Sequence, residues 1–297
     1  MRVAVSGASG LIGTALVAYL RAQDHEVLRL VRRVANAPDE VSWDPQNGYV
    51  DVSALAGVDG VVHLAGAGVG DHRWTDEYKQ QIRDSRLVGT RTLASALAGM
   101  SSPPAVLVSG SAIGYYGQTG DDPVDEHAPR GEGFLAGVVV AWESAAGPAR
   151  DAGIRVAHPR SGIVVSGRGG AWGRLWPLFQ AGLGGRLGSG QQWWSFISLR
   201  DEVAALTLLL TGELEGPVNL TAPHPATNAE ITEEMGRLLH RPTLMAVPEK
   251  AIRAVLGEMS SEVLSSARVV PTRLVEAGFT FADPTIGDAV RYALATR

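Results

Sequence analysis

The stretch Val3-Ala4-Val5-Ser6-Gly7-Ala8-Ser9-Gly10-Leu11-Ile12-Gly13 decides the fold. A short β-branched run, Val3–Val5, leads into a glycine turn, and Leu11–Ala22 then repeats apolar residues with the period of a helix. Strand, glycine loop and helix in that order is the context a dinucleotide fingerprint requires. Gly7 takes the tight turn, Gly10 lets the backbone approach a pyrophosphate, and Gly13 lets the helix pack against the strand. The helix start, with Ser9, Leu11 and Ile12 around Gly10, offers unpaired N–H groups and a partial positive charge to phosphates. The plainer alternative is the same turn in a Rossmann fold that binds nothing.

Working outward, Glu26–Val31, Val58–Leu64, Ala105–Ser109 and Ile154–Ala157 read as further strands, and Trp74–Met100 and Phe134–Arg150 as helices. Strands alternating with helices at this spacing predict an α/β Rossmann fold, a doubly wound parallel sheet. Beyond about residue 170 the pattern loosens. Gly169–Gly190 carries eight glycines and reads as a loop-rich excursion. Asp201–Thr211, Asn228–His240, Pro248–Leu256, Ser260–Ala267 and Pro284–Ala295 read as helices and Pro217–Leu220 as a strand. The expected division is a Rossmann domain over 1–170, to which 196–221 returns, and a smaller, mostly helical C-terminal substrate lobe from 171–195 and 222–297.

Composition excludes several classes of function. With no cysteine in 297 residues there is no disulfide framework, zinc thiolate site or cysteine nucleophile. The histidines have no metal-ligand spacing, so no metal is expected. A net charge of -5 argues against a nucleic-acid partner, and no apolar run approaches a membrane span. The start is a strand and a turn rather than a signal peptide, so a cytoplasmic protein is expected.

The tip of the second strand selects the cofactor. An NAD site usually ends this strand with an acid on the ribose 2′-hydroxyl. Here VLRLV runs into Arg32-Arg33, two guanidiniums suited to the 2′-phosphate of NADP(H). The bland alternative is a solvated basic pair on a turn.

With these residues in hand, the chain resembles the extended short-chain dehydrogenase/reductase superfamily. It is most similar to the atypical, epimerase-like proteins described as cell-division-inhibitor-like or nucleoside-diphosphate-sugar-epimerase-like. The likeness spans nearly the whole chain. It rests on SGASGLIG, VVHLAGAG (Val61–Gly68), RWTDEYKQQIRDSR (Arg73–Arg86), SGSAIGYYG (Ser109–Gly117), PRSGIVVS (Pro159–Ser166), GSGQQWWSFISLRD (Gly188–Asp201), GPVNLTAPHPATN (Gly216–Asn228) and PTRLVEAGF (Pro271–Phe279). The resemblance implies that Leu64, Ala65 and Gly66 pass beside the adenosine ribose. It places Ser109, Gly110 and Ser111 next to the nicotinamide, and Arg160, Gly162 and Val164 along the nicotinamide end of the cleft. Gly188–Ser198 would form part of a substrate wall, with Trp193 and Trp194 as flat surfaces or, alternatively, as packing for the cap.

The pattern breaks at the proton machinery. Typical members use a serine, a tyrosine and, four residues after it, a lysine that lowers the tyrosine pKa and holds the ribose. Ser111 fits the serine, and Glu143 fits an acid that commonly follows the lysine. Counting back gives Val139 at the lysine position and Leu135 at the tyrosine position, neither of which can carry a proton. Tyr116, or its neighbour Tyr115, is the candidate substitute, against the alternative that both tyrosines are packing residues. His63, at a strand end, reads as a packed or cofactor-side residue rather than a base. Two functions remain open. One is an NADP(H)-dependent oxidoreductase or epimerase acting on a small polar carbonyl or sugar-like substrate. The other is a non-catalytic NADP(H)-binding sensor or partner-binding protein. FLAGVVVAWE is either core or a pairing face, which leaves a monomer or a homodimer.

Overall fold

The computed structural model describes residues 1–297. Its centre is a nine-stranded sheet. The strands are β1 (Arg2–Ser6), β2 (Glu26–Val31), β3 (Glu40–Asp44), β4 (Tyr49–Val50), β5 (Gly60–His63), β6 (Val106–Ser109), β7 (Ser111–Ala112), β8 (Arg155–Ser161) and the edge strand Gly216–Leu220. In space they run from Gly216–Leu220 through β8, β6, β5, β1, β2 and β3 to β4, with β7 set against β8. All pairs are parallel except β3 with β4. Parallel strands covered on both faces read as unbroken apolar runs. That is why Val3–Val5, Val61-Val62 and Val106–Val108 are fully enclosed.

Helix α1 (Leu11–Ala22) packs on one face through Leu16, Val17 and Leu20, beside Val203, Leu206 and Leu209 of the helix Leu199–Thr211. Helix α2 (Asp76–Ala98) packs on the other through Leu93, Ala94 and Leu97. The helix expected over 134–150 is two, α3 (Phe134–Ala145) and α4 (Gly147–Asp151), because Pro148 lacks the N–H that would continue the first.

The excursion expected over 169–190 contains a helix, α5 (Gly170–Gln180). Trp172, Trp176 and Phe179 lie on one face at helical spacing and are buried. They join Phe196, Ile231, Met235 and Val290 in a separate apolar core, the centre of the C-terminal lobe. The tail does not stay wholly in that lobe. Leu274 belongs to the sheet's own core, and Phe279 and Phe281 pack against it. No helix is long and apolar enough to cross a membrane.

One buried carboxyl makes the fold pH-sensitive. Glu202 is fully enclosed, accepts a hydrogen bond from Ser161 Oγ at 2.6 Å, and leaves Oε2 unpartnered. Burial pushes its pKa up from 4.5 to about 7. Below 4.5 the group is protonated in both the folded and unfolded chain and costs nothing. Between 4.5 and about 7 only the unfolded chain ionises, so stability falls as pH rises, and the loss is complete above about 7. Glu202→Gln keeps the acceptor for Ser161 and removes the titration. Its stability should match the parent near pH 4 and exceed it at pH 8 by about 3 kcal/mol. Denaturant unfolding at the two pH values measures this, and parallel curves for both proteins would refute it.

Candidate cofactor and active site

The glycine loop sits where the strand order reverses, at the carboxyl ends of β1 and β5, the usual ligand crevice of such sheets. The three glycines answer different demands. Gly7 has φ +67°, and a Cβ there would lie 2.7 Å from the Leu64 carbonyl carbon. A Cβ at Gly13 would lie 2.2 Å from Gly7 O, so helix and turn touch backbone to backbone. Gly10 has φ −76°, and its closest neighbour would be Gly7 O at 3.3 Å. It is exposed, as is Ser9, and the space in front of it is open. Side chains cap the N-termini of α2 (Thr75) and of the helices Leu199–Thr211 (Ser198) and Asn228–Leu239 (Thr227). None caps α1, as none caps α3 or α5, so the first-turn N–H groups at Leu11 and Ile12 have no side-chain acceptor. The Leu11 side chain itself lies against Gly169 and Gly170 at the start of α5.

The opposite lip is the loop after β5. Leu64 N donates to Ser6 O at 3.2 Å. The motif Arg73–Arg86 holds the residues that follow. Ser85 Oγ accepts from Ala67 N at 3.0 Å, Arg86 Nη1 donates to Ala67 O at 3.0 Å, and Trp74 Nε1 donates to Val69 O at 2.9 Å. Tyr78 OH donates to Gly68 O. Helix α2 thereby fixes the path of Gly66–Val69. His63 is buried, 2.6 Å from Ser6 Oγ through Nδ1, and burial pushes its pKa down to about 4, so the ring is neutral. Its Nε2 and the Oγ of Ser109 are buried without partners. At Gly110 a Cβ would meet Trp142 at 3.0 Å, so this glycine serves packing.

At the strand tip the two arginines part company. Arg33 makes a two-point pair with Glu40, at 2.7 and 2.6 Å, and Glu40 also takes Arg29. An acid therefore does stand near this tip, contributed by β3. Arg32 is exposed and has no ion-pair partner.

A buried polar chain lies behind the β6 end. Ser111 Oγ donates to Glu143 Oε1 at 2.6 Å. Arg160 Nε and Nη2 donate to the same carboxylate at 2.8 and 3.0 Å, and its Nη1 donates to Tyr116 OH at 3.0 Å. Tyr116 OH donates to Asn219 Oδ1 at 2.7 Å. Burial alone would raise the Glu143 pKa, but the Arg160 and Ser111 bonds outweigh it and hold the carboxyl below its usual range. Burial pushes the Tyr116 phenol up to about 12, although Arg160 opposes the shift. This placement differs from two expectations. Tyr116 is 3% exposed with its hydroxyl engaged on both sides, and Arg160 is 3% exposed with its guanidinium committed to protein partners. Neither side chain opens onto the crevice. Tyr115 is half-buried, its ring lies 3.4 Å from the Arg160 guanidinium, and its hydroxyl has no protein partner. At Gly162 a Cβ would meet Ser195 O at 2.7 Å, and Val164 pairs in register with Ile197.

Beside Tyr115 a cleft of about 290 Å³ runs between the two lobes, lined by Trp74, Gly114, Phe134, Leu135, Glu258 and Glu262 among others. Leu135 faces this cleft, while Val139 is buried. Trp193 and Trp194 do not line it. Trp193 Nε1 donates to Asp121, and Trp194 pairs with Ala226, so both fasten the C-terminal lobe. No cluster of His, Cys, Asp and Glu is arranged to hold a metal.

The profile of the NAD dependent epimerase/dehydratase family matches residues 3–220, and that of a domain of unknown function matches residues 247–293. The chain belongs to the NAD dependent epimerase/dehydratase family. It is 48% identical over 293 residues to Epimerase family protein MT2273 of Mycobacterium tuberculosis, covering 98% of this chain and 97% of that one. It is 33% identical to Epimerase family protein SDR39U1 of Homo sapiens over 99% of this chain and 100% of that one. The crystal structure of that human protein with NADPH superimposes with a TM-score of 0.91 at 32% identity over 100% of both chains. The nucleoside-diphosphate sugar epimerase of Corynebacterium glutamicum superimposes with a TM-score of 0.82 at 35% identity, over 99% of this chain and 58% of that one.

One residue that holds the loop after β5 was not singled out in the sequence. Arg86 follows Ile82 by four positions and precedes Gly89 and Leu93 by three and seven, so it shares the stripe of α2 on which those three are buried. A charge in an apolar phase was the available signal.

The glycines give a direct test. Gly10→Val needs Gly7 O, 3.3 Å from its Cβ, to give by a few tenths of an ångström and should fold with a modest loss of thermal stability, yet block a dinucleotide's approach. Gly13→Val must displace Gly7 and should not fold. Circular dichroism with a NADPH thermal-shift assay reads both. A folded Gly10→Val that binds normally, or a stable Gly13→Val, would show the loop to be misread.

Proposed function

We propose that the chain binds NADP(H) in the switch-point crevice and uses it as an oxidoreductase or epimerase on a small polar carbonyl or sugar-like substrate. The observation that carries the reading is the uncapped start of α1 over the open face of Gly10 at the switch point of the sheet. The human relative's NADPH complex supports the choice of cofactor.

Leu11 and Ile12 N–H groups would receive the phosphates, and Arg32, the unpaired arginine of the tip, the 2′-phosphate. When bound, the nicotinamide supplies hydride exchange. Ser111 already gives its proton to Glu143, so its oxygen is an acceptor, suited to a substrate hydroxyl. Tyr115 takes the proton-transfer role considered for Tyr116, because its hydroxyl is free and charge developing on it would form beside Arg160. A second reading, cofactor binding without turnover, is favoured by the apolar residues Leu135 and Val139.

Arg32→Ala should weaken NADPH binding at least tenfold, about 1.4 kcal/mol, with NADH binding unchanged. Calorimetric titration of both cofactors decides it, and a retained NADPH preference refutes the phosphate assignment. A second test screens aldehydes, ketones, UDP-sugars and GDP-sugars for NADPH or NADP turnover. Nucleotide sugars should turn over well below about 1 s⁻¹, a rate ordinary for enzymes. On any active substrate, Tyr115→Phe should abolish turnover, while Tyr116→Phe should lose stability and keep it. The reverse outcome would restore Tyr116, and no turnover on the whole panel would favour the binding-only reading.

A further inference from the structure

The cleft between the lobes is lined by charge of one sign. Its Rossmann side is built by segments that leave the carboxyl ends of β5 and β6, through Trp74, Gly114, Phe134 and Leu135. Trp74 and Phe134 meet edge to face with ring centres 5.2 Å apart, and Leu135 packs against the same apolar cluster. The C-terminal lobe contributes Glu258 and Glu262. No lysine, arginine or histidine is among the residues that line the cleft.

Its carboxylates are not equivalent. Glu132 is exposed. Glu258 is held by Lys79, whose Nζ donates to its two oxygens at 2.9 and 3.2 Å. Glu262, on the short helix Ser260–Leu264, is half-buried, and its carboxyl has no protein partner. Burial alone pushes its pKa up, with no neighbouring charge to offset the shift. The side chain therefore serves no polar contact within the fold and is open to whatever enters the cleft.

The chemistry of the walls sets what that is. A carboxyl accepts hydrogen bonds in either protonation state. A phosphate or carboxylate entering here would meet like charge and find no cation, the arrangement by which a site rejects a ligand. A hydroxyl or an ammonium would find an acceptor, with aromatic rings beside it that favour a cation further. The volume, about 290 Å³, is at the small end of ligand sites, which run from about 300 Å³.

We propose that Glu262 is the specificity residue of this cleft, receiving a hydroxyl or ammonium of a small substrate, while phosphorylated and carboxylated compounds are excluded. The assignment rests on the reading above for the claim that the occupant is a substrate, and narrows that substrate to one without negative charge. It also gives a task to residues 247–293, which lie outside the stretch matched by the epimerase/dehydratase family.

The test uses three probes that differ in one group on a benzene ring: benzyl alcohol, benzylamine and benzoate. Each is titrated at pH 8 into the full chain, with and without NADPH, and chemical shifts are followed at the indole N–H of Trp74. In the parent, the alcohol or the amine should bind at least about tenfold more tightly than benzoate. The tighter of the two names the donor that Glu262 takes. Glu262→Gln has no protein contact to lose and should bring the three dissociation constants within about threefold of one another. Glu262→Asp keeps the charge and should keep the discrimination. Equal binding of all three probes by the parent, discrimination unchanged in Glu262→Gln, or no shift at Trp74 with any probe would each overturn the proposal. Calorimetry with NADPH separates the two readings. A chain that binds NADPH and fails these titrations overturns this proposal alone. A chain that discriminates among the probes but binds no NADPH overturns the cofactor reading and leaves Glu262 a binding residue.

Discussion

Two backbones meet at Gly7, and the functional end of the molecule is organised around that contact. On one side Gly13 lies too close to Gly7 O for any side chain, which seats α1 on the turn. On the other, Leu64 and Ala65 lie as close, which seats the loop after β5. The crevice is the gap these two packings leave. Its lower wall is therefore backbone, rigid and rich in N–H donors, and side chains enter only at its rims. Arg32 stands exposed at the tip of β2.

Behind the crevice, Ser111, Glu143, Arg160, Tyr116 and Asn219 form one continuous chain of bonds across β7, β8 and the edge strand. Removing one member of such a chain leaves its neighbours buried and unpaired, which costs more than the lost bond. The chain also sorts two adjacent tyrosines with one sequence context into different duties. Tyr116 is part of the wall, and Tyr115 stands in front of it.

Much of the fold was legible because parallel strands covered on both faces are unbroken apolar runs, and because α1 and α2 keep a helical period. The glycine loop was legible because Gly7 and Gly13 are demanded by geometry that only glycine meets. What was not legible depended on distant partners. The strand β3, mixed in polarity, gave no period to read, so Glu40 and its hold on Arg33 went unseen. Helix α5 was masked by the glycines around it, although Trp172, Trp176 and Phe179 carried its spacing. The burial of Tyr116 depends on Asn219, 103 positions away.

The bare start of α1 has a consequence for motion. The helices begun by Thr75, Ser198 and Thr227 close their own first turns, but α1 depends on whatever occupies the crevice to do so. In the empty protein its opening amides have no side-chain acceptor, as at the starts of α3 and α5, and a phosphate bound in the crevice would act as the missing cap. Leu11 stands in that same turn and touches Gly169 and Gly170, where α5 begins. Occupancy of the crevice is thus written into the exchange kinetics of a few amides at the seam between the lobes.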